Sequence, residues 1–292
     1  MWGDIAIAFL LAFITAFVIT PYSIRLAKKV GAVDYPNDRR VNKKPMPRLG
    51  GIAVIAGFLV SAIYLIITMR IENNIDFITD GLGKKLLGFL FGAMVLGITC
   101  YIDDVKGISP LVKLAGQLIA AIIVVSCGVR IDNFTIPFKE NSIMINEVIS
   151  YILTIGWIVG ITNAINLIDG LDGLSSGITL IACISMLIIF SLNESPLIAI
   201  ILITALAGAI VGFLPYNFNP AKTFIGDVGS NFMGYAISII SILGVAKTYT
   251  AIVIIAPIIV LALPIFDTLW AIVRRIVKTK SIKGVFCNTP TI

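Results

Sequence analysis

Histidine is absent from this 292-residue chain. No imidazole is therefore available within it as a general base or metal ligand, and acid–base or metal chemistry falls to carboxylates. Cysteine is scarce too. Cys100, Cys127, Cys183 and Cys287 stand in no paired spacing, which argues against a zinc site or a disulfide framework. Three of them lie in or at the ends of apolar runs, where a thiol behaves as a small hydrophobe. Charged residues make up only 13% against 58% hydrophobic, and the mean hydropathy is +1.03. A soluble domain of this length needs far more polar surface.

What the chain has instead is repeated apolar runs, each long enough to cross about 30 Å of hydrocarbon. The pattern predicts an all-α polytopic membrane protein of about nine helices, 1–292 forming a single membrane-embedded unit. The spans are Ile5–Ile24, Gly50–Met69, Leu86–Ile102, Leu111–Val129, Val148–Thr162, Leu174–Leu192, Pro196–Phe213, Ser230–Val245 and Ala251–Ile272. The first lacks a basic n-region and a small-residue cleavage site, so it reads as a retained helix.

Lys and Arg set the orientation. With the amino terminus outside, the outer loops hold only Arg70, Lys84, Lys85, Arg130, Lys139 and Lys247. The other basic residues then face the cytoplasm, crowded into Arg25–Arg48 and Arg274–Lys283. The net charge of +6 is accounted for by topology and anionic headgroups, and does not call for nucleic acid.

With that topology, Asp4, Glu72, Asp76, Asp80, Asp132, Glu140, Glu147 and Glu194 fall outside as solvated loop charges. The stretch "GVRIDNFTIPFKENSIMINE" alternates polar and apolar residues and predicts a small external hairpin. The inner acids are different. Asp103 and Asp104 end the third span in "YIDDVKGISP". Asp169 and Asp172 follow the fifth in "INLIDGLDGLSSG", and Asp227 precedes the eighth in "PYNFNPAKTFIGDVGSN". Three hairpins thus bring carboxylates to one membrane face. Taken singly, Asp172 suits the N-cap of the sixth helix and Asp227 that of the eighth. Five on one face, flanked by Gly and Asn, point to a polar site instead.

On a helix Asp169 and Asp172 share a face at i, i+3, whereas Asp103 and Asp104 point about 100° apart and cannot serve one task equally. Gly170, Gly173, Gly226 and Gly229 admit two readings: room for a phosphate against the backbone, or close helix packing.

Oxygen-only ligands favour a hard cation, Mg²⁺ or alternatively Mn²⁺. The loop "YPNDRRVNKKPMPRLGG" adds Arg39, Arg40, Lys43, Lys44 and Arg48, stiffened by Pro36, Pro45 and Pro47, and suits phosphate or nucleotide contact. Joining two phosphates costs about 4 kcal/mol per unit-charge pair at about 4 Å and an effective dielectric of about 20. A divalent ion with basic side chains offsets that repulsion.

These segments, with "VDYPNDRRVNKKPMPRLGG", "YIDDVKGISPLVKLAGQ", "NAINLIDGLDGLSSG" and "LPIFDTLWAIVRR", resemble the polyprenyl-phosphate N-acetylhexosamine-1-phosphate transferases from about Val33 to Arg275. The resemblance implies transfer of a sugar 1-phosphate from a UDP-sugar to polyprenyl (undecaprenyl) phosphate with release of UMP, at the cytoplasmic face of the plasma membrane, early in cell-wall or surface polymer assembly. It implies Asp227 as the principal Mg²⁺ ligand. Asp103 would be general base on the lipid phosphate and a further metal contact, supported by Asp104. Asn166, Asp169 and Asp172 would line the nucleotide and metal cavity. Phe224 would stack on uracil, with Asn217, Lys43 and Arg48 at the nucleotide. "PMPRLGG" resembles the branch using UDP-N-acetylglucosamine more than the phospho-N-acetylmuramoyl-pentapeptide transferases, which remain the alternative.

Two departures stand out. Asn42 occupies a position where many members of the branch have histidine. The family's His-rich loop after the ninth span is missing, and "RRIVKTKSIKGVFCNTPTI" leads us to expect a chain incomplete at its carboxyl end. An inactive remnant is one rival reading. An ion-coupled transporter is another, and it requires acids near mid-span and pseudo-symmetric broken helices. The residues leave open a direct or an enzyme-linked transfer, and a monomer or a homodimer.

Overall fold

A computed structural model describes residues 2–36, 44–73, 81–135, 142–193 and 195–244, with positions 266 and 270. Asn42, Lys43, the carboxyl-terminal tail and, apart from those two positions, the expected span Ala251–Ile272 lie outside the described residues.

The described residues form α1 (Trp2–Val30), α2 (Gly51–Asn73), α3 (Gly81–Lys106), α4 (Pro110–Ser126), α5 (Glu147–Leu167), α6 (Leu174–Leu192), α7 (Leu197–Asn217) and α8 (Gly226–Leu243). Six of these, α1, α2, α3, α5, α6 and α7, are long and apolar enough to cross a membrane. α4 falls short in length, and the Gly, Ser and Asn of "GDVGSNFMG" dilute the apolar character of α8. This is an all-α membrane protein. Two small antiparallel pairs complete it: β1 (Val33–Asp34) with β2 (Met46–Pro47), and β3 (Asn133–Thr135) with β4 (Ser142–Met144). The second pair is the hairpin that the alternating pattern predicts, with Phe134 opposite Ile143.

α7 is apolar on every side, and a helix of that kind is buried on every side. It packs against α1, α2, α6 and α8. α1 turns Ala8, Ala12 and Ala16 inward, all fully buried, and Leu10, Ile14 and Val18 outward, as a helix between protein and lipid should. Glycine on α7 lets the two backbones close up: a Cβ on Gly208 or Gly212 would strike the carbonyl oxygens of Phe9 and Phe13.

α8 is the second central helix, touching α2, α3, α5, α6 and α7. Phe58 of α2 meets Phe89 and Phe232 edge-on at 5.5 and 5.4 Å, and the Tyr235 hydroxyl donates to the Phe89 carbonyl at 2.9 Å. These contacts fix α8 against α2 and α3. The links α3–α4, α5–α6 and α7–α8 consequently meet at one end of the bundle, joined by contacts from Asp104 and Lys113 to Asp227 and from Asp172 to Ala221.

Candidate active site

The site is built around the first turn of α8. A helix start leaves backbone N–H groups without partners, and Ile225 at the N-cap supplies no side-chain bond. α3 supplies it instead. Asp104 accepts the N–H of Asp227 on Oδ1 and of Val228 on Oδ2, both at 3.0 Å.

Gly226 makes this approach geometrically feasible. Its φ is +71°, and a Cβ there would collide with the Arg48 carbonyl oxygen and lie 2.8 Å from Asp104 Oδ2. The segment leading into α2 is stitched alongside: Phe224 donates to the Pro47 carbonyl at 2.8 Å, Gly50 to that of Phe224 at 3.1 Å and Gly51 to that of Ile225 at 2.8 Å. Gly51 and Gly229 touch backbone to backbone. At Gly226 and Gly229, then, close protein packing is the reason for glycine. Gly170 differs, with open space where its Cβ would stand.

Onto this frame two cations converge. Arg48 Nη2 lies 3.2 Å from Asp227 Oδ2 and 3.3 Å from Asp104 Oδ1. Lys113 of α4 holds Asp227 Oδ1 and lies 3.2 Å from Asp103 Oδ2. The other Asp103 oxygen accepts the Ile108 N–H at 2.9 Å. The neighbouring aspartates therefore divide: Asp104, with a fully buried side chain, supports α8, while Asp103 is coupled to Asp227 through Lys113. Lys113 was not singled out from the sequence. Its one signal there is a lone cation three residues into an apolar helix.

Asp169 and Asp172 sit in the α5–α6 link. Burial pushes the Asp169 carboxyl up to about 6, against a hydrogen bond from Ser175 Oγ at 2.7 Å. Asp172 does not cap α6, whose N-cap is Gly173 without a side-chain bond. Its Oδ2 accepts from Asn219 Nδ2 and the Ala221 N–H, each at 3.1 Å, clamping the α5–α6 link to the α7–α8 link. Asn217 is held on both ends of its amide, by Ser176 Oγ at 2.8 Å and the Thr223 carbonyl at 3.1 Å.

A cavity of about 980 Å³ opens between these links. Arg48, Asn166, Asp169, Asp172, Asn217, Phe224 and Asp227 all line it, and so do Asp34 and Lys44. Asp103 and Asp104 stand behind the wall. Among the described residues no three His, Cys, Asp or Glu side chains cluster closely enough to hold a metal alone. The donors at hand are oxygens, Asp227 foremost. They fit a hard divalent ion that takes one or two protein carboxylates and completes its shell with phosphate and water. The acids occupy helix ends and links, away from the mid-span positions an ion-coupled transporter would use.

This arrangement, a carboxylate cavity at the end of an apolar bundle, coincides with a family match. The chain belongs to glycosyl transferase family 4, which residues 86–245 match. It is 44% identical over 284 residues to the probable undecaprenyl-phosphate N-acetylglucosaminyl 1-phosphate transferase of Bacillus subtilis, covering 96% of this chain and 74% of that one. Identity is 34% over 288 residues to the decaprenyl-phosphate N-acetylglucosaminephosphotransferase of Mycobacterium tuberculosis, covering 90% and 69%. It is also 34% over 251 residues to the phospho-N-acetylmuramoyl-pentapeptide-transferase of Staphylococcus epidermidis, covering 81% and 74%.

Proposed function

We propose that this chain transfers N-acetylglucosamine 1-phosphate from UDP-N-acetylglucosamine to undecaprenyl phosphate, releasing UMP. The observation that carries the reading is Asp227 at the cavity wall, gripped by Arg48 and Lys113. Arg48 and the Asp227 carboxylate line the cavity at the end of the apolar helices, and Lys113 is paired with that carboxylate. The similarity to two N-acetylglucosamine phosphotransferases named above supports the choice of sugar.

A lipid phosphate oxygen attacks the β-phosphorus of the UDP-sugar. The new P–O bond forms as the bond to the α-phosphate bridging oxygen breaks, and UMP leaves; an enzyme-linked route reaches the same products in two such steps. Arg48 and Lys113 offset the repulsion between the phosphates. Asp103 holds the proton relinquished by the lipid phosphate, and Asp104 keeps Asp227 in place. Phe224 offers a face to the uracil, with Asn217 behind it. Asp227, at the cavity wall, would hold Mg²⁺, which when bound would neutralise diphosphate charge. Mn²⁺ meets the same donor requirement.

In this reading 1–292 is one membrane-embedded unit with about nine spans, its amino terminus outside and its cavity facing the cytoplasm across the plasma membrane. The test is a purified chain given undecaprenyl phosphate and radiolabelled UDP-sugars in turn. We expect labelled lipid and UMP from UDP-N-acetylglucosamine with Mg²⁺, and none after EDTA. Labelling only from UDP-N-acetylmuramoyl-pentapeptide would move the chain to the other branch, and no lipid label from either would end the proposal.

A further inference from the structure

α4 and α8 leave the site in the same direction, yet α4 packs along α3 and α5 and its backbone scarcely meets that of α8. Gly92 of α3 stands between them: a Cβ there would strike both the Tyr235 hydroxyl of α8 and the Ala120 carbonyl oxygen of α4. Side chains join α4 to α8 instead. Lys113 reaches Asp227, and one turn deeper Gln117 Nε2 donates to Asn231 Oδ1 at 2.7 Å. Both partners move on by four residues, from Lys113 to Gln117 and from Asp227 to Asn231, so the two contacts are successive rungs about 6 Å apart.

The rungs differ in kind. The ion pair is part-exposed, at 15% for Lys113 and 20% for Asp227, and the flexible stem of a lysine lets its ammonium follow a new partner. The amide rung is dry: Gln117 and Asn231 are 2% and 0% exposed. Its polarity is fixed as well. Asn231 Nδ2 donates to the Asp227 carbonyl at 2.8 Å, which leaves its Oδ1 to accept from Gln117. On the other side Asn163 Nδ2 donates to the Val159 carbonyl at 2.9 Å and to Gln117 Oε1 at 2.7 Å. Backbone carbonyls thus dictate the partners at both ends of the Gln117 amide, and it sits one way round.

We propose that Gln117 is a positioning residue: its bond to Asn231 sets the spacing of α4 from α8, and with it the point from which Lys113 extends toward Asp227. The proposal rests on the transfer reaction proposed above. Without the amide rung, the ion pair is the remaining polar link between α4 and α8 among the described residues, and its carboxylate is shared with Arg48. The Lys113 ammonium then keeps its charge but loses its fixed place. A charge that must be repositioned at every turnover stabilises the transfer less than a preorganised one.

The test is a double-variant cycle of Gln117→Met, which is close to isosteric, and Lys113→Met, with initial rates divided by the amount of folded chain. Gln117→Met should lower kcat about tenfold and leave the KM of each substrate within about threefold. In the Lys113→Met background the same substitution should change kcat by less than about twofold, since no ammonium is left to place. A kcat of Gln117→Met within about twofold of wild type would overturn the proposal. So would an equal loss in both backgrounds, the pattern of a residue that only holds the bundle together, or a loss carried by KM alone. Should Gln117→Met fail to fold, Gln117→Asn takes its place in the cycle; it keeps an amide that is one methylene too short to reach Asn163 and Asn231 together. A wild-type chain that transfers no sugar phosphate defeats this inference along with the parent reading. An active wild type without the coupling defeats this inference only.

Discussion

The carboxylate of Asp104 accepts the backbone N–H of Asp227 at 3.0 Å, so one acid of the cluster holds another in register. Asp104 and Asp227 should fail in different ways. Asp104→Asn loses an acceptor for the start of α8 and a partner of Arg48. It should lower stability by about 2 kcal/mol or more, the scale of a buried hydrogen bond to a charged group. Asp227→Asn should abolish UMP release while leaving the unfolding temperature close to wild type. Thermal unfolding in detergent beside a UMP-release assay reads both; equal stability losses would contradict the division of labour.

Lys113 touches Asp103 and Asp227 together. Lys113→Met should reduce turnover about a hundredfold or more, as removal of a preorganised charge at a phosphoryl centre does. Retention of most activity would remove Lys113 from the site.

The Asp169 carboxyl is raised by burial from 3.8 to about 6. Between those values the folded chain binds more protons than the unfolded one, so stability falls as pH rises across that window and levels off above it. Asp169→Asn should flatten that slope and stabilise the chain at neutral pH. Ser175→Ala, which removes the hydrogen bond opposing the shift, should extend the window upward. Unfolding temperatures from pH 4 to 8 test the pair, and identical slopes in wild type and Asp169→Asn would refute the assignment.

Glycine substitutions should split sharply. Gly226→Ala meets the Arg48 carbonyl oxygen and a left-handed φ of +71°, strain of about 1–3 kcal/mol before any overpacking. Gly97, in mid-α3, has nothing within 4 Å of its Cβ position. Gly97→Ala should be neutral or stabilise by about 0.5–1 kcal/mol through helix propensity. Expression yield and unfolding temperature of the two variants provide the comparison.

The bundle was legible because hydropathy is a local property of the chain, and so was the gathering of Asp169, Asp172 and Asp227, which follows from span parity. The sequence also indicated that Asp103 and Asp104 must differ, since adjacent helical residues diverge. Which of them faces α8 depends on how α3 packs, and no local pattern records that. Arg48 read as a nucleotide contact, yet its structural partners are two aspartates. Lys113 stayed hidden in "PLVKLAGQ" because its meaning lies in α4 meeting α8. The Asn231 amide looks like a misplaced polar residue until Gln117 is set opposite it.

The closeness of α1 and α7 has a further consequence for how the molecule is made. The α1 backbone at Phe9 and Phe13 lies against Gly208 and Gly212, which are translated nearly two hundred residues later. During synthesis α2 can settle on the Ala8, Ala12 and Ala16 side of α1, where Ser61 and Gly57 lie, while the place of α7 stays filled by lipid. α7, the most apolar of the described helices, enters as an ordinary span and is then enclosed. Enlarging Gly208 should therefore leave insertion of each helix intact and block the later docking, producing a chain with the right topology and no assembled cavity.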